Sequence, residues 1–390
     1  MRKKEINVAL VGYKFMGKAH SNAYVSAPRF FDLPLTPVLH TLVGRDKSSV
    51  AAAAKKWGWQ NYETDYRKVI ENEEIDLIDV ATPNDSHAEM CIAAAEAGKA
   101  VACEKPLAMN VAEARAMVRT VKKHKVPNYV WFNYRRIPAL ALARELISEG
   151  RLGKIYHVRA VYLQDWIMDP NFPIVWRLQR KIAGSGSHGD LNSHLVDLAR
   201  FLLSAEFDEV CGMAETFIKE RPVEISGGGL AAGKVAKKKG KVDVDDAVLF
   251  LAKFKNGGIG SFEATRFANG RRNGNQIEIN GSRGTIVFNF ERMNELQFFD
   301  DMLPKKEQGF RRILATESVH PFIHGYWPPG HIIGYEHTFI NTVVDMMYHL
   351  GGKLKTFHAN FEDGLRCQEV LDAVLTSCDD RRWVKVKEVA

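Results

Sequence analysis

Residues 6–24 read INVALVGYKFMGKAHSNAY, an apolar strand that runs into a glycine turn and then into a helix. In a dinucleotide-binding fingerprint the first glycine allows a tight turn and the third lets helix and strand pack closely; Gly12 and Gly17 hold these places. Lys14 stands where the middle glycine lets the backbone approach a pyrophosphate. A negative φ would make this departure tolerable, and an ammonium at a helix N-terminus would itself favour phosphate. The turn therefore predicts a dinucleotide site with these residues along it: Gly12, Tyr13, Lys14, Phe15, Met16 and Gly17.

The first 130 residues alternate between strand and helix patterns. Apolar runs such as IDLIDVAT and NYVWFNY, flanked by helical periodicity, predict a parallel sheet with helices on both faces. After Arg136 the chain becomes rich in strands separated by Gly and Asn turns, and two long helices follow. The sequence therefore predicts an α/β protein. Residues 1–130 form an N-terminal Rossmann domain with a doubly wound parallel sheet, and residues 131–390 form a C-terminal α+β domain, for substrate binding and oligomerisation, with a large, mostly antiparallel open sheet.

The composition indicates a globular protein with two domains. Its 390 residues are 46% apolar and 26% charged, which is ordinary for a soluble chain. Apolar runs stay well short of the ~20 residues that a bilayer span needs. The charged start of the chain argues against a signal peptide, and five scattered cysteines offer no disulfide framework. We therefore expect a cytoplasmic protein with no membrane partner.

Much of the formal charge of +7 lies in residues 227–246, GGGLAAGKVAKKKGKVDVDD. This stretch is predicted to be a solvated surface loop. Its lysines are Lys234, Lys237, Lys238, Lys239 and Lys241. No aromatic interleaving or nucleic-acid motif accompanies them, so we expect no nucleic-acid partner.

The end of the second strand, LVGRD, bears on the phosphorylation of the cofactor. An acidic residue there binds the ribose hydroxyls of NAD, whereas an arginine accommodates the 2′-phosphate of NADP. Gly44 stands about where the carboxylate is expected, and Arg45 and Asp46 follow. Arg45 favours NADP unless it is a solvated turn residue, and Asp46 could still serve NAD, so both cofactors stay open.

Three further motifs, taken with the glycine turn, identify a family. ATPNDSH (residues 81–87), CEKPLA (103–108) and GDLNSHLVDLARFL (189–202) together resemble the Gfo/Idh/MocA family of nicotinamide-dependent sugar and polyol oxidoreductases. The resemblance runs over nearly the whole chain. Within the family, NYRRIPALALA (133–143) and YLQDW (162–166) look most like members that oxidise the C3 hydroxyl of a pyranose or glycoside.

The resemblance implies how the cofactor is held. Thr82, Pro83 and Asn84 would close over its ribose and nicotinamide, and Glu104 and Lys105 would lie beside the nicotinamide at the next strand end. Lys105–Pro106 resembles the family's cis peptide. Outside the glycine turn, the predicted cofactor-binding residues are Gly44, Arg45, Asp46, Thr82, Pro83, Asn84, His87, Glu104, Lys105 and Asn133. The open sheet face commonly serves as a dimer interface in this family, which implies a homodimer or homotetramer.

The oxidation of a secondary alcohol needs a base for the hydroxyl proton, a cation or donor for the oxygen, and a hydride acceptor. Asp190 and His194 are four residues apart, so on a helix they share one face. We predict that His194 accepts the proton, that Asp190 orients it or binds a sugar hydroxyl, and that Lys105 holds the reacting oxygen. A structural ion pair is the alternative for an arbitrary Asp–His pair, but the family match favours catalysis.

The predicted substrate site combines aromatic faces with polar hydrogen-bonding groups. Besides Lys105, Asp190 and His194, it comprises Arg135, Asp165, Trp166, Trp176, Arg177 and His188. Arg135 and Asn133 are expected to flank the entrance, and packing is the alternative for the tryptophans. His188 is expected either to bond a sugar or to be an exposed loop residue. His188, Asp190 and His194 could also ligate Zn or Mn, but the family pattern calls for no metal.

Three functions are compatible with these residues. The leading one is an NAD(P)-dependent sugar or glycoside dehydrogenase. The second cleaves glycosides through transient C3 oxidation and recycles its cofactor. The third is a non-catalytic dinucleotide-binding regulator, against which the presence of Lys105, Asp190 and His194 argues. The loop His320–His331 is expected to be a lid or a subunit contact.

Overall fold

The structure, a computed structural model, describes residues 4–228 and 231–390. Its strands are β1 (Lys4–Val11), β2 (Leu35–Val43), β3 (Asn61–Glu63), β4 (Leu77–Val80), β5 (Ala100–Cys103), β6 (Asn128–Val130), β7 (Ile155–Leu163), β8 (Phe207–Glu215), β9 (Glu220–Gly228), β10 (Ala231–Lys241), β11 (Ala247–Phe254), β12 (Ile259–Thr265), β13 (Gly274–Gly281), β14 (Gly284–Asn289), β15 (Glu295–Asp300), β16 (Arg311–Leu314) and β17 (Val384–Lys385). Its helices are α1 (Phe15–Phe30), α2 (Lys47–Trp57), α3 (Tyr66–Glu71), α4 (His87–Glu96), α5 (Val111–His124), α6 (Pro138–Ser148), α7 (Arg180–Ala183), α8 (Ser193–Leu203), α9 (Tyr335–Leu350) and α10 (Phe361–Asp380).

The chain forms two compact units. The first comprises Met1–Ala108, Ala112–Arg136 and Ile333–Arg366, and the second comprises Met109–Val111, Ile137–Ile332 and Cys367–Ala390. The sequence places residues 131–390 in one domain, whereas the structure groups 333–366 with the amino-terminal unit. Buried polar bonds explain this grouping.

These bonds join α9 to the short turn that follows β6. Asn133 Nδ2 donates to Thr338 Oγ1 at 2.7 Å, and Asn341 Nδ2 donates to the Arg136 carbonyl at 3.0 Å. The Arg136 guanidinium also pairs with Asp345 at 2.8 Å. Such partners, more than 200 residues apart in the chain, leave no local signal in the sequence.

The sheet of the first unit has the order β3-β2-β1-β4-β5-β6, and all its neighbouring strands are parallel. This is the doubly wound dinucleotide-binding order, which confirms the predicted Rossmann fold. The order reverses between β1 and β4, and ligands of such sheets bind at the carboxyl ends of the strands beside this point. All residues of β4 and β5 are buried, as central parallel strands require.

The large sheet of the second unit has the order β16-β15-β14-β13-β7-β12-β11-β8-β17. Its strands pair in antiparallel fashion except for β7 and β12, which are parallel. In β11, residues from Val248 to Phe254 alternate between buried and exposed, so one face of the sheet is covered. The predicted, mostly antiparallel sheet is confirmed.

The lysine-rich stretch corrects the sequence prediction. Lys238, Lys239 and Lys241 lie in β10, which pairs with β9 in an antiparallel hairpin, and not in a loop. The partner strand β9 supplies the backbone hydrogen bonds, and Ala, Gly and Lys are poor local signals for a strand. The side chains of Lys234 and Lys237 lie outside the described part of the structure.

Several elements were not predicted, namely β3, α3, α7, β9, β10, β15, β16 and β17. Each is short or poor in apolar alternation, so contacts made in the folded chain, rather than a local pattern, decide its conformation. In the part of the chain that the structure describes, no helix has both the length and the apolar character that crossing a bilayer would require.

Candidate functional site

The glycine turn after β1 has the close packing that a phosphate-binding turn needs. Gly12 has a φ of +111°, and a Cβ there would lie 2.4 Å from the Ala81 carbonyl oxygen. A Cβ on Gly17 would lie 2.0 Å from the Gly12 carbonyl oxygen, so helix and strand meet backbone to backbone. Both glycines therefore serve as the fingerprint predicts.

Lys14 fits the turn because its φ is −76°, an ordinary value for a side-chain-bearing residue. It is the N-cap of α1, whose first turn runs from Phe15 to Lys18. The main-chain N–H groups of this turn and the helix dipole make the end of α1 electropositive. The geometry and charge of these residues fit a dinucleotide pyrophosphate.

The end of β2 explains why Gly44 replaces the expected carboxylate. A Cβ on Gly44 would lie 2.2 Å from two ring carbons of Tyr13, so that ring occupies the place of a side chain. Asp46 is the N-cap of α2; its carboxylate accepts from Ser49 N at 2.8 Å and Ser48 Oγ at 2.9 Å. Hydrogen bonds from Ser49 and then Ser48 lower the pKa of Asp46. Asp46 thus has a capping role beside the predicted ribose contact, and Arg45 is exposed.

His87 is a buried residue that contacts two of the predicted cofactor-binding segments, one at Thr82 and one at Pro106. It is completely buried, with Nε2 at 3.0 Å from the Thr82 carbonyl oxygen and Nδ1 at 3.0 Å from that of Pro106. Burial lowers its pKa, although both backbone contacts act in the opposite direction. Lys105–Pro106 is the cis peptide that the resemblance implies. His87 therefore ties the Thr82 segment to Pro106, a different role from the predicted contact with the cofactor.

Beneath the ends of β4, β5 and β6 lies a buried charged cluster that the sequence analysis missed. His20 Nδ1 lies 2.9 Å from Asp79 Oδ2, and its Nε2 lies 3.0 Å from Glu104 Oε1. The other Glu104 oxygen accepts the Lys105 N–H at 2.9 Å. The Trp131 ring stacks on His20 at 3.9 Å between ring centroids. A charged residue inside the apolar strand IDLIDVAT was the available signal, because a buried carboxylate needs a partner.

Asp190 and His194 lie at the start of α8. A turn of π-helix spans His188–Asn192, and the α-helix begins at Ser193. Such turns are frequent at functional sites. Asp190 Oδ2 accepts from Arg266 at 2.8 Å, and this guanidinium is almost fully buried. His194 is buried, with its ring 5.9 Å from that of Tyr162.

The glycine-rich segment before α8 packs against Asp245. A Cβ on Gly186 would lie 1.9 Å from the Asp245 carbonyl oxygen. The Asp245 carboxylate accepts from the main-chain N–H groups of Gly186 and His188 and from Ser187 Oγ, each at 2.8 Å. These bonds fix the segment that carries Asp190. The segment therefore has glycine at position 186 because the Asp245 main chain leaves no room for a side chain there.

His188 is neither a sugar ligand nor an exposed loop residue, which corrects the prediction. It is completely buried; its Nε2 donates to the Leu371 carbonyl at 3.0 Å and its Nδ1 accepts from Asn192 at 3.0 Å. Burial also lowers its pKa. With both ring nitrogens engaged inside the unit, His188 cannot join Asp190 and His194 around a metal. Within residues 4–228 and 231–390, the acidic, Cys and His side chains form no group suited to a metal ion.

The predicted sugar-binding aromatics have packing roles as well. Trp166 packs against a core cluster that includes Ile167 and Phe172, and its Nε1 donates to Gln164 at 2.9 Å. Asp165 is buried and accepts from Gly270 N at 3.0 Å. Trp176 and Arg177 are half-buried, with the guanidinium 4.2 Å from the ring centroid. Their roles toward a sugar stay predictions.

Asn133 and Arg135 are buried within the first unit. Asn133 bonds Thr338, and Arg135 pairs with Asp363 at 3.4 Å and lies over the Phe132 ring at 5.8 Å. These contacts fix the chain just after β6. Any role at an entrance would come in addition to them.

Both units match known protein domains. Residues 6–132 match the oxidoreductase family with an NAD-binding Rossmann fold, and residues 140–287 match the Gfo/Idh/MocA C-terminal domain. The chain belongs to the Gfo/Idh/MocA family. The matches confirm the predicted family, the NAD-binding domain and the enzyme class, an oxidoreductase.

Three relatives of this Gfo/Idh/MocA protein are similar over almost their entire length. The levoglucosan dehydrogenase of Pseudarthrobacter phenanthrenivorans is 44% identical over 99% of this chain and 100% of its own. A solved oxidoreductase domain protein from Kribbella flavida has a TM-score of 0.93 at 51% identity, covering 98% of this chain and 99% of its own. A levoglucosan dehydrogenase solved with NADH and levoglucosan has a TM-score of 0.92 at 42% identity, covering 98% and 100%.

Proposed function

We propose that this protein oxidises a secondary hydroxyl, at C3, of a pyranose sugar, an anhydrosugar or a glycoside, with NAD as the oxidant. The observation that carries the proposal is the similarity at 44% identity, over 99% of the chain, to a levoglucosan dehydrogenase. A solved dehydrogenase of that name is bound to both NADH and levoglucosan. The product is the 3-keto sugar.

The reaction removes a proton from the hydroxyl oxygen and a hydride from its carbon. NAD, when bound, supplies the hydride acceptor. Lys105, at the end of β5, holds the reacting oxygen through its ammonium, which favours negative charge on that oxygen as the proton leaves. His194 accepts the proton. Both roles concern the same hydroxyl group of the substrate.

Asp190 has two partners in this proposal. The Arg266 guanidinium holds one of its oxygens at 2.8 Å in a charge-assisted hydrogen bond. The charged carboxylate then orients His194 and supports its positive charge after proton transfer. Asp190 also remains a candidate to bind a sugar hydroxyl.

The oligomeric state is part of the proposal. The open face of the large sheet carries exposed apolar side chains at Met213, Leu249, Leu251 and Ile259. Apolar residues gathered on one face favour association with a second copy. We expect a homodimer or homotetramer in the cytoplasm.

The test is turnover by the purified wild-type protein with a panel of anhydrosugars and glycosides. NAD⁺ and NADP⁺ are each supplied, because Arg45 is exposed at the end of β2. NADH absorbance and the position of the new carbonyl are measured. We expect net NADH formation and a C3 ketone, and a fall in kcat/KM of about a thousandfold in Lys105→Met. The exposed Lys255→Met is the matched control and keeps wild-type rates.

Two outcomes contradict the proposal. Release of the aglycone without net NADH would assign the glycoside-cleaving reaction. Binding of NADH without turnover of any sugar, unchanged in Lys105→Met, would assign a regulatory role.

A further inference from the structure

The geometry of the buried cluster below the strand ends favours one protonation state of its histidine, His20. His20 is fully buried, and its two ring nitrogens face carboxylate oxygens of Asp79 and Glu104 at 2.9 and 3.0 Å. A neutral imidazole has one N–H and one lone pair, so one nitrogen would point its lone pair at a carboxylate oxygen. Only the imidazolium, with two N–H groups, donates to both. The geometry therefore favours an imidazolium between the two carboxyl groups.

We infer that His20, as an imidazolium between Asp79 and Glu104, is a positioning residue that fixes the main chain of Lys105. The inference rests on the proposed function, because it gives Lys105 the task of holding the reacting oxygen. The link is Glu104: Oε1 accepts from His20, and Oε2 accepts the Lys105 N–H at 2.9 Å. The carboxylate cannot turn without breaking one of these bonds.

Neighbouring side chains hold the other end of the cluster. Trp131 Nε1 donates to Asp79 Oδ1 at 2.8 Å, and Tyr24 Oη donates to Asp79 Oδ2 at 3.0 Å. The His20 ring stacks on Trp131, and the Phe339 ring lies 5.7 Å away. His20 thus has neighbours from α1, β4, α9 and the segment after β6. Among the described residues, further titratable neighbours of the carboxyl groups include the Cys103 thiol and His87, which acts on Glu104. With so many fixed partners, the orientation of Glu104 is determined by packing as well as by charge.

The electrostatic balance agrees with this geometry. Burial by itself would lower the pKa of His20, but Asp79 and then Glu104 outweigh burial and raise it to about 9. His20 therefore stays charged at neutral pH. Its removal would leave the two buried carboxyl groups without the cation between them, so the Glu104 side chain would lose one of the two bonds that hold it.

The test compares His20→Gln with Tyr24→Phe. The control removes a hydrogen bond to the same cluster from the same helix but leaves the contact between His20 and Glu104. Hydrogen–deuterium exchange of the Lys105 amide is measured in the full chain without sugar. We expect exchange at least about tenfold faster in His20→Gln, as loss of ~1.4 kcal/mol of protection implies, and wild-type exchange in Tyr24→Phe.

Enzyme kinetics provide a second readout, because loss of a positioning residue lowers kcat but leaves the affinity for NADH nearly unchanged. We expect His20→Gln to lower kcat at least about tenfold while the Kd for NADH stays within about threefold. Wild-type amide exchange and kcat in His20→Gln would overturn the inference. The exchange result does not depend on sugar turnover, so an inactive wild-type protein would refute the proposed function and leave this test in place.

If His20→Gln does not fold, the protonation state of His20 is measured in the wild-type protein instead. Nitrogen NMR of the histidine-labelled, folded chain reports whether each ring nitrogen carries a proton. Two protonated nitrogens at neutral pH in the ring that contacts Trp131, which identifies it as His20, support the inference. Neutral imidazole signals from every buried ring would overturn it.

Discussion

At the scale of single residues, the phosphate turn shows which of its positions require glycine. Gly12 has a positive φ, and a Cβ there would meet backbone at 2.4 Å, whereas Lys14 has a φ of −76°. A backbone atom cannot move aside as the end of a flexible side chain can. The position that departs from the fingerprint is therefore the one that tolerates a side chain.

This contrast leads to a pair of variants. Lys14→Gly should keep measurable affinity for NADH, because the turn and the N-terminus of α1 remain. Gly12→Ala should lose most of it, because the turn must shift. Titration by nucleotide fluorescence, with thermal unfolding as the check on folding, measures both. Loss of binding in Lys14→Gly would show that the ammonium is itself the main phosphate ligand.

A second prediction concerns how His20 makes the free energy of unfolding depend on pH. Its pKa is about 9 in the folded protein and 6.5 without the fold. Because folding raises the pKa, the charged His20 ring stabilises the folded protein fully below pH 6.5. This stabilisation is lost as the pH rises through 9. The difference corresponds to about 3 kcal/mol of unfolding free energy. Urea unfolding from pH 6 to 10 should show this fall in wild type, and a His20→Gln protein should lack it; equal slopes would refute the assignment.

Sequence patterns point to candidate site residues that lie within one motif, and they miss partners that are distant in the chain. The glycine turn and CEKPLA pointed to Gly12, Gly17 and Lys105 directly. His20 and Asp79 are 59 residues apart and meet only because the sheet brings α1 over β4. His188 lies in a segment that resembles a substrate loop, yet its role depends on Leu371, far along the chain.

At the scale of elements, the start of α8 depends on contact with the chain before β11. The π-turn His188–Asn192 carries Asp190, and the Asp245 carboxylate holds its lead-in through three hydrogen bonds. This lead-in contains Gly184, Gly186 and Gly189. The structure shows why they are there: Gly186 lies directly against the Asp245 main chain.

Gly186→Ala should therefore be strongly destabilising. Its Cβ would lie 1.9 Å from a backbone oxygen, so the segment must move. We expect a loss of about 3 kcal/mol in unfolding free energy, together with a lower kcat from displacement of Asp190. Gly309→Ala is the matched control, because a Cβ there meets nothing within 4 Å. Equal stability of the two variants would show that this close contact is absent in solution.

Arg221 holds the loop formed by residues 167–172 through buried hydrogen bonds to its main chain. Its buried guanidinium donates to the main-chain carbonyls of Asp169 at 2.7 Å, Phe172 at 3.3 Å and Ile167 at 2.6 Å. These bonds hold the segment that carries Trp166. Since Arg221 belongs to the unpredicted β9, the sequence could not assign this support.

At the scale of the whole molecule, the fold class could be predicted because strand and helix patterns differ strongly between the two parts of the chain. The parallel order of the first sheet follows from alternating strands and helices. The membership of residues 333–366 in the first unit could not be predicted. It depends on buried contacts of α9, such as Asn341 to the Arg136 carbonyl, which no local pattern encodes.

The proposed oligomer makes a prediction at this scale. Leu251 and Ile259 are both more than half exposed on the open face of the large sheet. A charge placed there would have to be buried in an interface, so Leu251→Glu should give a folded monomer. Sedimentation velocity compares it with Tyr62→Glu, an exposed position on β3 of the first unit. A dimer or tetramer in Leu251→Glu would place the interface elsewhere.

Isotope labelling measures directly whether hydride passes from C3 of a sugar to NAD. Levoglucosan carrying deuterium at C3 is incubated with NAD⁺ and the wild-type protein, and the reduced cofactor is analysed by mass spectrometry. We predict that the cofactor gains the deuterium, and that Lys105→Met abolishes this gain. Reduced cofactor without deuterium, or no reduction with any labelled sugar, would contradict it.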